Sequence, residues 1–244
     1  MAEGAWPESL RLYVPDDIVV FSLLDARRPG FASALETARA HGCGAVLRLA
    51  GGHAALFHRG CLAFSWAIPD ERPRDGIRAR FEQLSAWVAA ALTRIGVDAR
   101  VGEVAGEYCP GQYSVNAGGS IKLMGVGQRV IRGAAHVGGV IVAEDANRVR
   151  EVLGPVYRAL ELEWDPASAG AVADVATGAT PGTIREALVE ELRITHAPEW
   201  ACFDAATLAR ADELMSWHEP AGDRSTDAHS PLGTKTVAVG PAPD

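Results

Sequence analysis

A chain of 244 residues, 48% hydrophobic and 22% charged, is long enough for one large globular domain with a modest appendage. Its net charge of −8 argues against a nucleic-acid or anionic-membrane partner, which clustered Lys and Arg would hold. The opening MAEGAWPESLRLYVPDD has neither the basic nor the apolar region of a secretory signal, and no apolar run reaches the roughly 18 residues that cross a bilayer, so a cytoplasmic location is expected.

Ile18–Leu24 (IVVFSLL), an apolar run bounded by Asp16-Asp17 and Asp25, predicts a buried strand. Ala32–His41 follows Pro29-Gly30 and predicts a helix with Leu35 and Ala38–Ala40 as its apolar positions, ended by Gly42 and Gly44. Ala45–Leu49 and Cys61–Ile68 predict strands on either side of a glycine-containing turn. Alternating Leu62, Phe64 and Trp66 give the second of them one buried face. Asp75–Ile95 is the clearest helix: Phe81, Leu84, Val88, Ala91, Leu92 and Ile95 form one apolar stripe, and Gly96 ends it. A short strand at Asp98–Val101 precedes a hairpin, Tyr113–Val115 with Ile121–Met124, turned by Asn116-Ala117-Gly118-Gly119. Val137–Val142 predicts a further strand. Asp145–Leu160 predicts a second amphipathic helix with Val149, Val152, Leu153, Val156 and Leu160 inward.

Residues 168–182 are rich in Ala, Gly, Thr and Pro and predict a loop. Thr183–Leu192 and Asp204–Trp217 predict two helices, the first capped by Thr183 with Glu186 three residues on. From Glu219 the polar composition predicts a disordered tail. Together these elements predict an α+β fold: a mixed, largely antiparallel sheet with packed helices over 1–165, a small helical C-terminal extension over 166–218, and a tail over 219–244.

Four stretches carry residues able to do chemistry. In Arg48–His58 (RLAGGHAALFH) an arginine ends a strand, and Gly51-Gly52 lets the backbone approach a ligand. Exposed N–H groups beside a guanidinium suit a carboxylate or phosphate, although a Gly-Gly pair is also an ordinary hairpin turn. Lys122 lies in SIKLMGVGQ, followed by Gly125, Gly127 and Gln128, and only Lys235 is another lysine in the chain; a solvent-facing strand lysine is the ordinary alternative. Cys109, in GEYCPGQY, precedes a Pro-Gly turn that favours exposure. A thiolate there is a nucleophile able to form thioesters, whereas most free cysteines are small buried hydrophobes. Cys43, Cys61 and Cys202 stand in apolar or helical contexts, and no CxxC spacing suggests zinc or a disulfide frame. His136, ahead of Gly138, could place a substrate or shuttle a proton, as could His53 and His58; each could equally be hydrogen-bonded at a strand edge. With no HxxxH or HExxH spacing, no metal site is expected.

The order Arg-x-x-Gly-Gly…His, then Lys-x-x-Gly-x-x-Gln, then His-x-Gly before an apolar strand resembles the biotin/lipoate protein ligase superfamily, in its lipoate ligase and octanoyltransferase branch, over residues 18–160. Arg48, Gly51, Gly52 and His58 match the first motif, Lys122, Gly125 and Gln128 the second, and His136 and Gly138 the third. The pattern departs where Leu49 replaces an arginine and where His53 follows the glycines. The resemblance implies a catalytic domain that attaches an octanoyl or lipoyl group to a lysine of an acceptor domain. Lys122 and Cys109 would be catalytic: Cys109 would carry the acyl group as a thioester and Lys122 would position its carbonyl. Arg48, Gly51, Gly52, His53, His58, Gly125, Gln128, His136 and Gly138 would bind substrate. The implied donor is an acyl carrier protein or a lipoyl-carrying protein. The implied acceptor is a lipoyl domain of a 2-oxoacid dehydrogenase subunit or the glycine cleavage H protein, modified as a lysine amide. A transferase of this kind requires no cofactor. The alternative is an ATP-dependent ligase using ATP and Mg with lipoate or octanoate through an acyl-adenylate; a second alternative is a non-catalytic relative that binds an acyl ligand. Biotin ligation fits the Cys–Lys arrangement less well.

Overall fold

The computed structural model describes residues 7–220 and the backbone of strand 236–240. In chain order the elements are β1 (Ser9–Tyr13), β2 (Ile18–Ser22), α1 (Phe31–Ala40), β3 (Gly44–Arg48), β4 (Ala55–Phe57), β5 (Cys61–Pro69), α2 (Ile77–Arg94), β6 (Ala99–Val101), β7 (Val115–Ala117), β8 (Ile121–Ile131), β9 (Ala134–Val142), α3 (Ala146–Ala159), α4 (Pro181–Leu192), β10 (Ala197–Ala201), α5 (Ala205–Leu214) and β11 (Thr236–Gly240). An eight-stranded sheet runs β10-β11-β1-β5-β9-β8-β7-β6 with every pairing antiparallel. A three-stranded sheet runs β3-β2-β4, with β2 and β3 parallel across the α1 crossover and β2 and β4 antiparallel. This is the mixed, largely antiparallel α+β architecture expected from the sequence.

Two apolar clusters follow from the alternation of the strands. On one face of the large sheet, Leu10, Leu12, Leu62, Phe64, Trp66, Val137 and Ile141 pack against Leu84, Val88 and Leu92 of α2 and Ile184, Leu188 and Leu192 of α4. The other cluster joins Val19, Phe21 and Leu56 of the small sheet to α1, α3 and the back of β5 and β9 at Cys61, Val140 and Val142. The inward residues expected for α3, from Val149 to Leu160, are all buried there.

The sequence reading differs from the structure at several places, each with a local cause. The glycine-rich end of β8 extends to Ile131 because β9 supplies backbone partners, which the hairpin expected at 113–124 does not include. Ala45–Leu49 and Cys61–Ile68 fall in different sheets, with β4 between them. The N-cap of α4 is Thr180, not Thr183: its Oγ1 accepts from Thr183 N–H, Thr183 Oγ1 accepts from Thr180 N–H, and Pro181 opens the helix. Beyond residue 165, α4 belongs to the main core: Trp87 Nε1–H donates to Leu188 O at 3.1 Å. The disordered tail expected over 219–244 is corrected for Thr236–Gly240, where the alternating TVAVG pairs with β1 and β10; residues 221–235 and 241–244 lie outside the described residues. No described helix is long and apolar enough to cross a membrane.

Candidate active site

Cys109 lies in the loop between β6 and β7 with φ at 43°, a left-handed conformation that a non-glycine residue adopts at a cost of order 1 kcal/mol or more. Its backbone is clamped on both sides. The N–H donates to Tyr157 Oη at 2.8 Å, and that hydroxyl donates to Ala54 O at 2.9 Å, tying the loop to α3 and to the residue just before β4. The Cys109 carbonyl accepts from Lys122 Nζ at 2.8 Å. The side chain is partly exposed, unlike the buried Cys43 and Cys61.

Lys122 is 1% exposed, so the solvent-facing alternative does not hold. Its ammonium donates to Glu107 Oε1 at 2.8 Å, Tyr108 O at 2.9 Å and the Cys109 carbonyl, which uses all three N–H bonds. It also stands 4.8 Å from the centre of the Tyr108 ring. Glu107 is satisfied in turn: it accepts from Ser114 Oγ at 2.6 Å, Gly111 N at 3.1 Å and Val104 N at 2.9 Å. A buried ion pair holds its charge only with such a complete set of partners. A β-bulge aims the lysine. Asn116 pairs with Lys122 but Val115 pairs with Met124, so β8 carries one extra residue. Alternation is thereby reset, and Lys122 shares a face with Gly125, where an added Cβ would stand 3.4 Å from Lys122 Cε. Gln128 is left on the opposite face.

The loop after β3 completes the cluster. Gly127 on β8 lets this loop seat closely, since a Cβ there would stand 3.2 Å from Ala50 Cβ. Gly52, with φ at +92°, passes directly over the thiol: an added Cβ would lie 2.6 Å from Cys109 Sγ and 2.8 Å from Arg48 Nη2. At this point the Cys109 Sγ receives His53 N–H at 3.2 Å and Arg48 Nη2 at 3.4 Å. Arg48 Nη2 also donates to His53 O at 2.6 Å, and its Nε is buried with no partner among the described residues. The sulfur thus sits beside a cation and an oriented backbone N–H. His53 Nδ1 lies 2.8 Å from Oδ1 of buried Asp25, whose Oδ2 accepts from Ser22 N at 2.9 Å and Ser22 Oγ at 3.1 Å.

The structure thus gathers Arg48, Gly51, Gly52, His53, Cys109, Lys122 and Gly125. An added Cβ at Gly51 would meet open space, so no close approach demands that glycine. His58 is not in the cluster. It is 3% exposed, its Nδ1 accepts from Gly60 N at 3.1 Å in the turn before β5, and burial lowers its pKa. Gln128 is engaged by α2: Arg80 Nε–H donates to its Oε1 at 2.7 Å, and its Nε2 donates to Ile77 O at 3.1 Å. His136 is an exposed residue of β9 with Nε2 2.7 Å from Ser65 Oγ, and Gly138 gives that ring room, because a Cβ there would stand 2.9 Å from His136 Cε1. Cys61 is an inert core thiol pushed up to about 12 by burial, and burial raises Cys43 as well. Cys202, expected in an apolar or helical context, is exposed just past β10. Among the described residues no group of three or more His, Cys, Asp or Glu side chains is placed to hold a metal ion. Sequence reasoning missed Glu107, Asp25 and Tyr157. Glu107, two residues before Cys109, carried the nearest signal, but an isolated acidic residue reads as solvated.

Residues 2–163 match the lipoyl protein ligase A/B catalytic domain. An octanoyl-[GcvH]:protein N-octanoyltransferase of Geobacillus kaustophilus is 33% identical over 128 residues, which are 52% of this chain and 45% of the relative. The protein of the same name from Exiguobacterium sibiricum is 34% identical over 135 residues, 55% of this chain and 48% of the relative. The chain thus spans about half the length of the curated relatives it matches. Among solved structures, lipoate-protein ligase A bound with ATP superposes with a TM-score of 0.60 at 20% identity, over 77% of this chain and 72% of that one. A bi-partite lipoate protein ligase from Thermoplasma acidophilum gives a TM-score of 0.58 at 20% identity, over 77% and 70%. At that identity the likeness concerns the fold.

Proposed function

The chain belongs to the lipoyl protein ligase A/B catalytic-domain family, and from that premise we propose that it is an acyltransferase moving an octanoyl or lipoyl group onto a lysine of a lipoyl domain through a thioester on Cys109. The observation that carries this reading is the setting of Cys109 Sγ: a partly exposed thiol on a strained, doubly clamped backbone, facing Arg48 Nη2 and His53 N–H. An acyl-adenylate route has no use for such a thiol. The Arg48 guanidinium, whose Nη2 stands 3.4 Å from Cys109 Sγ, is the cation that meets the charge gained by the acyl oxygen when the sulfur attacks. Lys122 acts as a positioning residue: its three donors hold the Cys109 loop, so the carbonyl contact expected of it passes to Arg48. By analogy with the relatives named octanoyl-[GcvH]:protein N-octanoyltransferase, the donor is an octanoylated glycine cleavage H protein and the acceptor a lipoyl domain of a 2-oxoacid dehydrogenase.

The test is incubation of the purified chain with octanoyl-GcvH and an apo lipoyl domain, without nucleotide, followed by intact-mass analysis. We expect the acceptor to gain one octanoyl group and the chain to show a transient adduct that hydroxylamine removes. Acceptor modification that appears only with ATP and Mg, and with no adduct, would overturn the transferase reading in favour of a ligase.

Gly52 offers a steric check. Gly52→Ala places a methyl against both the sulfur and its guanidinium at a backbone angle that alanine resists. Acyl transfer should fall about tenfold to a hundredfold, read as the rate of adduct formation. A rate equal to that of the unmodified chain would mean that the loop over Cys109 has no part in the reaction.

A further inference from the structure

We infer that His53, oriented by Asp25, is the proton-transfer residue of this site, passing one proton between Cys109, the departing donor amine and the incoming acceptor amine. The inference rests on the transferase reading above. A donor lysine amide and an acceptor lysine amide make the reaction an amide-to-amide exchange. An amine leaves a carbonyl only after it gains a proton, and an incoming ammonium attacks only after it loses one. The site therefore needs a group that gives and retrieves a proton.

Lys122 does not serve. Its ammonium is buried, paired with Glu107, and has every N–H committed. Arg48 does not serve because a guanidinium keeps its proton. His53 does. Its backbone N–H touches Cys109 Sγ, which fixes the residue at the nucleophile, and its side chain is 27% exposed, open to an arriving substrate. Its Nδ1 is spent on Asp25, a buried carboxylate held by both the N–H and the hydroxyl of Ser22. A carboxylate accepting from Nδ1–H leaves the lone pair on Nε2, and Nε2 has no hydrogen-bond partner among the described residues. This is the division of labour that an acid–base histidine requires: one nitrogen fixed by a buried acid, the other free. The charged or titratable groups facing His53 are Asp25 at Nδ1, Arg48 at the carbonyl and Cys109 at the N–H.

The steps balance. Nε2 takes the proton from the Cys109 thiol, and the thiolate attacks the donor carbonyl. An S–C bond forms, the C–N bond breaks, and the departing lysine nitrogen receives the proton from Nε2. The acceptor amine then attacks the thioester. An N–C bond forms, the S–C bond breaks, and the proton lost by the nitrogen returns through Nε2 to the sulfur. No oxidant, nucleotide or metal enters.

The deciding variant is His53→Gln, which keeps the backbone N–H to the sulfur at a partly exposed position. Adduct formation is followed with two donors, octanoyl-GcvH and octanoyl-coenzyme A, whose thiolate leaves without a proton. His53→Gln should slow adduct formation from octanoyl-GcvH about a hundredfold and from octanoyl-coenzyme A by much less. Added imidazole should restore part of that rate. Asp25→Asn should shift both donors in the same sense. An equal effect on the two donors would overturn the role toward the departing amine, and no effect on either would overturn the proton role altogether, while leaving Cys109 as the acyl carrier. If the unmodified chain forms no adduct with either donor, the transferase reading itself has failed.

Discussion

Lys122→Met is expected to lower the stability of the fold by about 3–5 kcal/mol, the cost of leaving one member of a buried ion pair without its partner. The charge left behind is Glu107, whose side chain is fully buried. Glu107 keeps Ser114 Oγ, Gly111 N and Val104 N as donors but loses its counter-charge. The Tyr108 and Cys109 carbonyls lose their shared donor at the same time. For a chain of this size the loss corresponds to a Tm lower by roughly 6–20 °C in a thermal melt. Acyl transfer should fall as well, because the Cys109 backbone no longer has its second clamp. Replacing Glu107 together with the lysine, as Lys122→Met with Glu107→Gln, should recover part of the stability and none of the activity. A Lys122→Met protein within 1 kcal/mol of the original, on the scale by which exposed pairs contribute, would show that the pair is solvated and that this account of the site is wrong.

Cys109→Ala is expected to remove the hydroxylamine-sensitive adduct and to reduce transfer from octanoyl-GcvH by at least about a thousandfold, the scale on which loss of a nucleophile is felt. Stability should move little, because the thiol is only partly buried, at the margin of the core, and the change removes a single sulfur atom. Cys109→Gly sharpens the contrast. Glycine is at ease at the positive φ of this residue, so the strain is relieved and Tm should hold or rise while activity disappears. The opposed directions separate a strained functional residue from a structural one. Acceptor modification that survives Cys109→Ala at the original rate would exclude the thioester.

The elements were legible from the sequence wherever burial is periodic. The α2 stripe, the inward face of α3 and the alternation of β5 all stand where the apolar residues placed them. What escaped is what depends on partners far along the chain. Strand β4 is three residues long and is held by pairing with β2, and β10 by pairing with β11. Neither carries enough local pattern to announce itself.

The same division runs through the site. The sequence by itself determined the chemical inventory: one cysteine beside a turn, a lysine followed by glycines, an arginine before Gly-Gly, and the family these imply. It could not determine their roles. Lys122 and Gly125 are three apart and would face opposite ways on a regular strand; a bulge formed against β7 puts them on one side and turns Gln128 to α2. Arg48 and Cys109 are 61 residues apart and meet only because the small sheet packs against the back of the large one. Asp25 becomes the partner of His53 because β2 and β3 run parallel and end side by side. Hydrophobic periodicity is a local property and can be read along the chain. The meeting of charged and nucleophilic groups depends on close packing between distant segments, which only the tertiary structure decides.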